Sequence, residues 1–243
     1  MTGLQNQNCR LCLEDKPLCR SHIISEFNYR PMYDDEHRFR ILSSEPRKKT
    51  QFKRKGLRER LLCRDCESLI SKWEQYVRNI LYGGTGFYGR DDGAYHYVSG
   101  LDYGRVRLYY LSILWRMSIS TLDMYKEVSL GPHEETIREM LLASDPGKPD
   151  QYGVVCIAPV IDGQMFDDWI LQPTYAIVQS HRVYRIVIGG LLYLFFVSSH
   201  SVPRELKDAF VSETGDWVIV TRDVRKIPFI NQWFNEVSKS LKG

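Results

Sequence analysis

Between Cys66 and Tyr82 apolar residues recur at Leu69, Ile70, Trp73, Val77, Ile80 and Leu81, with Lys72, Glu74, Gln75 and Arg78 off the stripe. That spacing predicts an amphipathic helix. From Arg105 to Met124 the chain is apolar on most faces, through Leu108, Leu111, Leu114, Trp115, Met117, Ile119 and Leu122, which predicts a buried helix. Gly131-Pro132 breaks the chain, and Pro132 suits the start of a short helix carrying Ile137, Met140 and Leu141. After Asp145-Pro146-Gly147 the pattern turns to strands. Val154 to Ala158 and Tyr175 to Gln179 are two of them; Val183 to Ile188, Gly189-Gly190 and Leu191 to Ser198 read as a β-hairpin. Trp217 to Thr221 is a further strand, and Ile227 to Leu241 closes the chain as an amphipathic helix.

Residues 83–104 interrupt this pattern with seven glycines interleaved with Tyr88, Tyr95, Tyr97 and Tyr103. They read as a loop or hairpin connecting two regions. The expected organisation is a small unit over 1–82, a connector over 83–104, and an α+β domain with an antiparallel sheet over 105–243. The longest apolar run, Ile186 to Val197, is interrupted by two glycines and is too short to span a bilayer. The first residues have neither a basic start nor an apolar stretch, so the expected compartment is the cytoplasm and no membrane partner is expected.

The net charge of +3 hides an asymmetry. From Pro46 to Arg60, eight basic residues (Arg47, Lys48, Lys49, Lys53, Arg54, Lys55, Arg58 and Arg60) face only Glu59, giving +7, and the rest of the chain is −4. Such a local patch suits phosphate or an acidic protein.

Four of the six cysteines form two Cys-x-x-Cys pairs, Cys9/Cys12 and Cys63/Cys66. Four thiolates at this spacing suit one tetrahedral Zn²⁺. That zinc would be structural, since four thiolates close the coordination sphere; Arg10, Lys16 and Arg64 would help keep the thiols ionised. Cys19 and Cys156 have no paired partner and read as packing residues.

Between the knuckles lies Ser21-His22-Ile23-Ile24-Ser25-Glu26-Phe27, and Leu61-Leu62-Cys63-Arg64-Asp65-Cys66 directly precedes the helix. This order resembles the HNH endonucleases, whose core is a ββα-metal (His-Me finger) fold on a zinc-clasped treble clef. The resemblance covers residues 9 to 82. It implies that His22 is the general base for phosphodiester hydrolysis, and that Glu67, in the position of the family's final histidine, is a catalytic residue binding Mg²⁺ or Mn²⁺. It implies nucleic acid, DNA first, as the partner, tracked by Lys53, Arg54, Lys55, Arg58 and Arg60. It also implies bacterial antiviral defence as a setting, solely because such heads often occur there. The chain departs from the family in two places: Ser21 replaces an acidic or histidine ligand, and no Asn occurs between Asn28 and Asn79. Glu26 or Glu59 could complete the site, although a salt bridge within the basic run is the simpler expectation for Glu59.

Two function classes follow. One is a nuclease; the other is a non-catalytic zinc module that binds nucleic acid or a protein. Residues 105–243 carry no nameable motif and are expected to recognise a partner, hold a homo-oligomer or position the head.

Overall fold

The computed structural model describes residues 7–41, 51–83, 88–165 and 168–242. Arg47, Lys48 and Lys49 lie outside the described residues. In the N-terminal region β1 (Leu18–His22) pairs antiparallel with β2 (Arg58–Cys63), with Ser21 opposite Glu59 and His22 opposite Arg58. The chain passes from β2 straight into α1 (Arg64–Tyr82). The stripe of α1 that reaches the core is Cys66, Ile70, Trp73 and Val77, the helical repeat that the pattern predicts. Two minor ladders accompany this unit: Gln7–Asn8 with Asp15–Lys16, and Phe39–Ile41 with Gln51–Lys53.

The glycine-rich span forms a hairpin, β3 (Tyr88–Asp91) and β4 (Tyr95–Ser99). Its strands belong to the main sheet, so the span does more than join two regions. After α2 (Tyr103–Ile119) and α3 (His133–Ala143) come β5 (Val154–Ile161), β6 (Thr174–Val178), β7 (His181–Ile188), β8 (Leu191–Val197) and β9 (Trp217–Asp223). The sheet order is β6-β7-β8-β5-β9-β4-β3, with Gln164–Met165 paired to β5 as an eighth strand. All its pairings are antiparallel except β5 with β9. The β7–β8 turn is the Gly189-Gly190 pair, with φ of 56° and 76°. Two consecutive positive φ values match the twist of a two-residue hairpin, and glycine reaches them at no steric cost.

Helix α2 is buried on nearly all sides because it lies between two layers. On one side Tyr110 meets Tyr193 of the sheet, hydroxyl to hydroxyl at 3.0 Å, and packs edge-on against Trp217. On the other, Tyr109 stacks on Phe27 and accepts a hydrogen bond from Asn28 Nδ2. One apolar cluster accordingly runs from Ile23, Ile24 and Leu62 through Leu114 and Trp115 to Cys156 and Phe195. The opposite sheet face is covered by α4 (Pro228–Lys242), through Ile230, Phe229 and Trp233, and by Val202 and Phe210.

Helix α2 ends at Ile119 rather than continuing to Met124. The extended Ser120 follows, and Glu59 of β2 holds the chain there. Its carboxylate accepts from Ser120 Oγ, Thr121 N and Thr121 Oγ1, at 2.8, 3.0 and 2.6 Å. Among the described residues Glu59 makes no salt bridge within the basic run; it anchors a distant loop instead. No described helix is long and apolar enough to cross a membrane.

Candidate metal centre and histidine cleft

The two knuckles meet across the β1–β2 ladder. The first is a tight turn, closed by Leu13 N donating to Cys9 O at 2.8 Å, with Leu13 at a φ of 64°. Arg10 N donates to Leu61 O at 2.9 Å, which lays this turn against the end of β2. The second knuckle is the β2–α1 junction itself. The four sulfurs of Cys9, Cys12, Cys63 and Cys66 lie within 4.8 Å of one another. The Cys12–Cys63 separation is 3.9 Å, close to the edge of a tetrahedron with Zn–S bonds of ~2.3 Å. The residues therefore fit a metal ion such as zinc.

Burial pushes the Cys12 and Cys66 thiols up. Burial acts on Cys9 in the same sense, but backbone donors at Cys63, Cys12 and Leu11 outweigh it and bring that thiol down. Lys16, expected to assist the thiolates, is instead held by Glu14 and Asp65 at 2.7 and 2.9 Å. Cys19 is half-buried outside the cluster and Cys156 is buried in the sheet, as packing residues.

His22 ends β1 and faces a cleft along α1. The cleft is lined by His22, Glu26, Arg30, Glu74, Gln75 and Arg78, and along the same helix it runs on to Arg64, Glu67 and Lys72. His22 Nε2 sits 2.8 Å from Glu26 Oε2, but off the line of a hydrogen bond, so that nitrogen has no hydrogen-bond partner among the described residues. Glu26 is itself fixed: Gly56 N donates to its Oε2 at 3.1 Å and Tyr33 Oη to its Oε1 at 2.5 Å. Burial pushes the imidazole below its ordinary range; Glu26 and Glu74 oppose that and Arg58 and Arg116 reinforce it. A neutral imidazole can accept a proton, and the Glu26 carboxylate 2.8 Å from Nε2 would stabilise the charged ring.

Glu67 lies in the first turn of α1, against Ser21. Its Oε1 is buried without a hydrogen-bond partner among the described residues. Burial raises this carboxyl, opposed by Ser21 and Arg116. Ser21 is fully buried and accepts from Leu62 N at 3.2 Å, so it supports the ladder rather than facing the cleft.

The residue that sequence reasoning missed is Arg116. It lies in α2, only 1% exposed, and reaches across to the N-terminal unit. Its Nη1 donates to His22 O at 2.7 Å and lies 2.9 Å from Glu74 Oε1, which also accepts from Ser25 Oγ at 2.7 Å. Arg138 of α3 similarly donates to Leu11 O, inside the first knuckle, at 2.6 Å. The signal for Arg116 is a charge within an otherwise apolar helix, which demands a partner once buried.

Of the basic residues expected to track nucleic acid, Lys53, Arg54 and Lys55 are exposed, and no ion pair engages them among the described residues. Arg58 lies beside His22 in the ladder. Arg60 is exposed, but its Nη1 is committed to Leu18 O at 3.0 Å. Compared with family models, curated proteins and solved structures, the chain matches none.

Proposed function

We propose that this chain is an HNH-like nuclease that hydrolyses phosphodiester bonds in nucleic acid, with His22 as general base. The observation that carries the reading is the environment of His22. The imidazole lines a cleft, its buried Nε2 beside a fixed carboxylate, at the end of a two-strand ladder that leads into a helix through a four-thiol knuckle. His22 takes a proton from water, whose oxygen attacks phosphorus as the P–O bond to the leaving sugar oxygen breaks; that oxygen takes a proton from solvent, and Glu26 steadies the imidazolium that forms. Arg30, Arg64, Lys72 and Arg78 supply positive charge along the cleft. The buried, unpartnered Glu67 oxygen suits Mg²⁺ or Mn²⁺, which is commonly bound by one or two carboxylates, water and substrate phosphate. Such an ion would stabilise negative charge on the phosphate.

A second reading, a zinc-held module that binds nucleic acid without cutting it, is favoured by one observation. Among the described residues the only group of three or more potential metal ligands is the cysteine cluster. Nicking of supercoiled plasmid with Mg²⁺ or Mn²⁺ separates the readings. His22→Ala should lose about 10²- to 10⁴-fold in rate, and extra metal should not restore it. Glu67→Gln should lose activity that extra Mn²⁺ partly restores. Absence of wild-type cleavage with every divalent ion would leave the binding module.

A further inference from the structure

The two faces of β4 are treated differently. On the face turned toward α2, His96 is pinned on both sides: its Nδ1 lies 3.0 Å from Asp91 Oδ2 across the β3–β4 hairpin, and its Nε2 lies 2.9 Å from Thr221 Oγ1 of β9. Asp91 is held in turn by Gly93 N at 2.7 Å. The outer face of the same strand is bare. It carries Tyr95, 43% exposed, and Tyr97, with ring centroids 6.2 Å apart. The guanidinium of Arg90 lies 4.6 Å from the Tyr97 ring centroid. The register places Tyr95 opposite Val220 and Tyr97 opposite Val218, and Arg222 follows two residues beyond Val220 on that face. Helix α4 and the segment around Phe210 cover this face farther along the sheet, over β5, β7 and β8.

We propose that the outer face of β3, β4 and β9 is a docking platform for single-stranded nucleic acid. The chemistry is complementary on two counts. Arg90 and Arg222 on this face are exposed and neither is in an ion pair among the described residues; the acidic group Asp216 lies at its far end, bonded to Ser99, and Asp91 points to the other face to hold His96. The two rings are wider apart than the ~3.4 Å step of a stacked strand. They can therefore receive bases splayed from a single strand, whereas the bases of a duplex are stacked on each other and closed to such an approach. An arginine over a ring adds a second plane on which a base can stack. The pinned histidine makes the platform rigid before binding, which lowers the entropic cost of docking. This inference does not depend on the chemistry of His22.

The test is fluorescence anisotropy of the full chain with labelled single-stranded DNA and RNA oligonucleotides and with a duplex of the same sequence. The wild type should bind a single strand more tightly than the duplex. Tyr95→Ala with Tyr97→Ala should weaken single-strand binding by at least about tenfold, since stacking loss is large per base. Tyr95→Phe with Tyr97→Phe should retain binding, because the rings remain, and this pair controls for loss of fold. Arg90→Ala should weaken binding and flatten its salt dependence. Equal single-strand affinity of the alanine pair and the wild type, with both folded, would overturn the proposal. So would a mass doubling in light scattering that the alanine pair abolishes while oligonucleotide binding stays unchanged, because the face would then join two copies. Failure here leaves plasmid nicking by His22 untouched, and a wild type that never nicks plasmid leaves this binding test unaffected.

Discussion

The region around the thiols and the region around the sheet solve the same problem by different means. The sheet buries Val183, Ile186, Val187, Leu192 and Phe195 on its two faces and is covered by helices on both. Such a unit is held by apolar area removed from water. The N-terminal unit has one main two-strand ladder and one long helix, and it buries fewer apolar residues than the sheet region. Units of this size commonly need a metal. Here the metal cluster has help, because Arg116 and Arg138 of the sheet region bind carbonyls on the knuckle unit. The difference teaches where chemistry can sit. The four-cysteine site and the two borrowed arginines hold this unit without using the His22 side chain, since Arg116 binds only its carbonyl.

The sharpest way to break that comparison is at Arg116. Arg116→Ala removes the bond to His22 O and leaves Glu74 half-buried without its cation. Breaking a buried pair from one side costs about 3–5 kcal/mol. Chemical denaturation should show a loss of that order, with Arg116→Lys recovering part of it. A loss below about 1 kcal/mol would mean that the two regions are not braced there.

A smaller effect is expected at the exposed basic segment. Replacing Lys53, Arg54 and Lys55 by glutamine should leave stability within about 0.5 kcal/mol. Nucleic-acid affinity should fall, and its salt slope should flatten by about one unit for each phosphate no longer neutralised. An unchanged slope would make the segment a solvated surface only.

The smallest effect concerns pH. His22 must be neutral to accept a proton, and burial lowers its affinity for protons below that of an ordinary histidine near 6.5. The acid limb of the cleavage rate should therefore have its midpoint below about 6.5. The stability sign agrees. The folded state holds His22 less protonated than the unfolded chain, so its contribution is present above the unfolded value and is lost as pH falls through the folded one. A limb centred above 6.5 would assign the titration to another group.

Much of this was legible in the sequence because it is local. The stripe of α1, the Gly189-Gly190 turn and the Cys-x-x-Cys pairs each specify geometry through neighbours a few residues away. The strand positions Val154, Trp217 and Leu191 were legible for the same reason, although β5 extends to Ile161 and β9 to Asp223. What local pattern does not carry is long-range partnership. Glu59 reads as part of a basic run, yet it anchors the loop after α2, because the fold brings β2 beside Ser120 and Thr121. Arg116 reads as an interruption in an apolar helix, yet it is the brace behind His22. The glycine-rich span reads as a connector, while its alternating Tyr95, His96 and Tyr97 place one histidine inward and two rings outward only once β9 lies alongside.

The central claim is that the staple and the candidate active site are separable. Hydrogen exchange together with elemental analysis on Cys63→Ser and His22→Ala tests it most directly. Cys63→Ser should lose zinc and lose amide protection across residues 9–82, while the strands of the eight-stranded sheet stay protected. His22→Ala should keep one zinc per chain and keep protection in both regions. Loss of zinc and of N-terminal protection in both variants alike would contradict the account and make His22 a structural histidine of the metal unit.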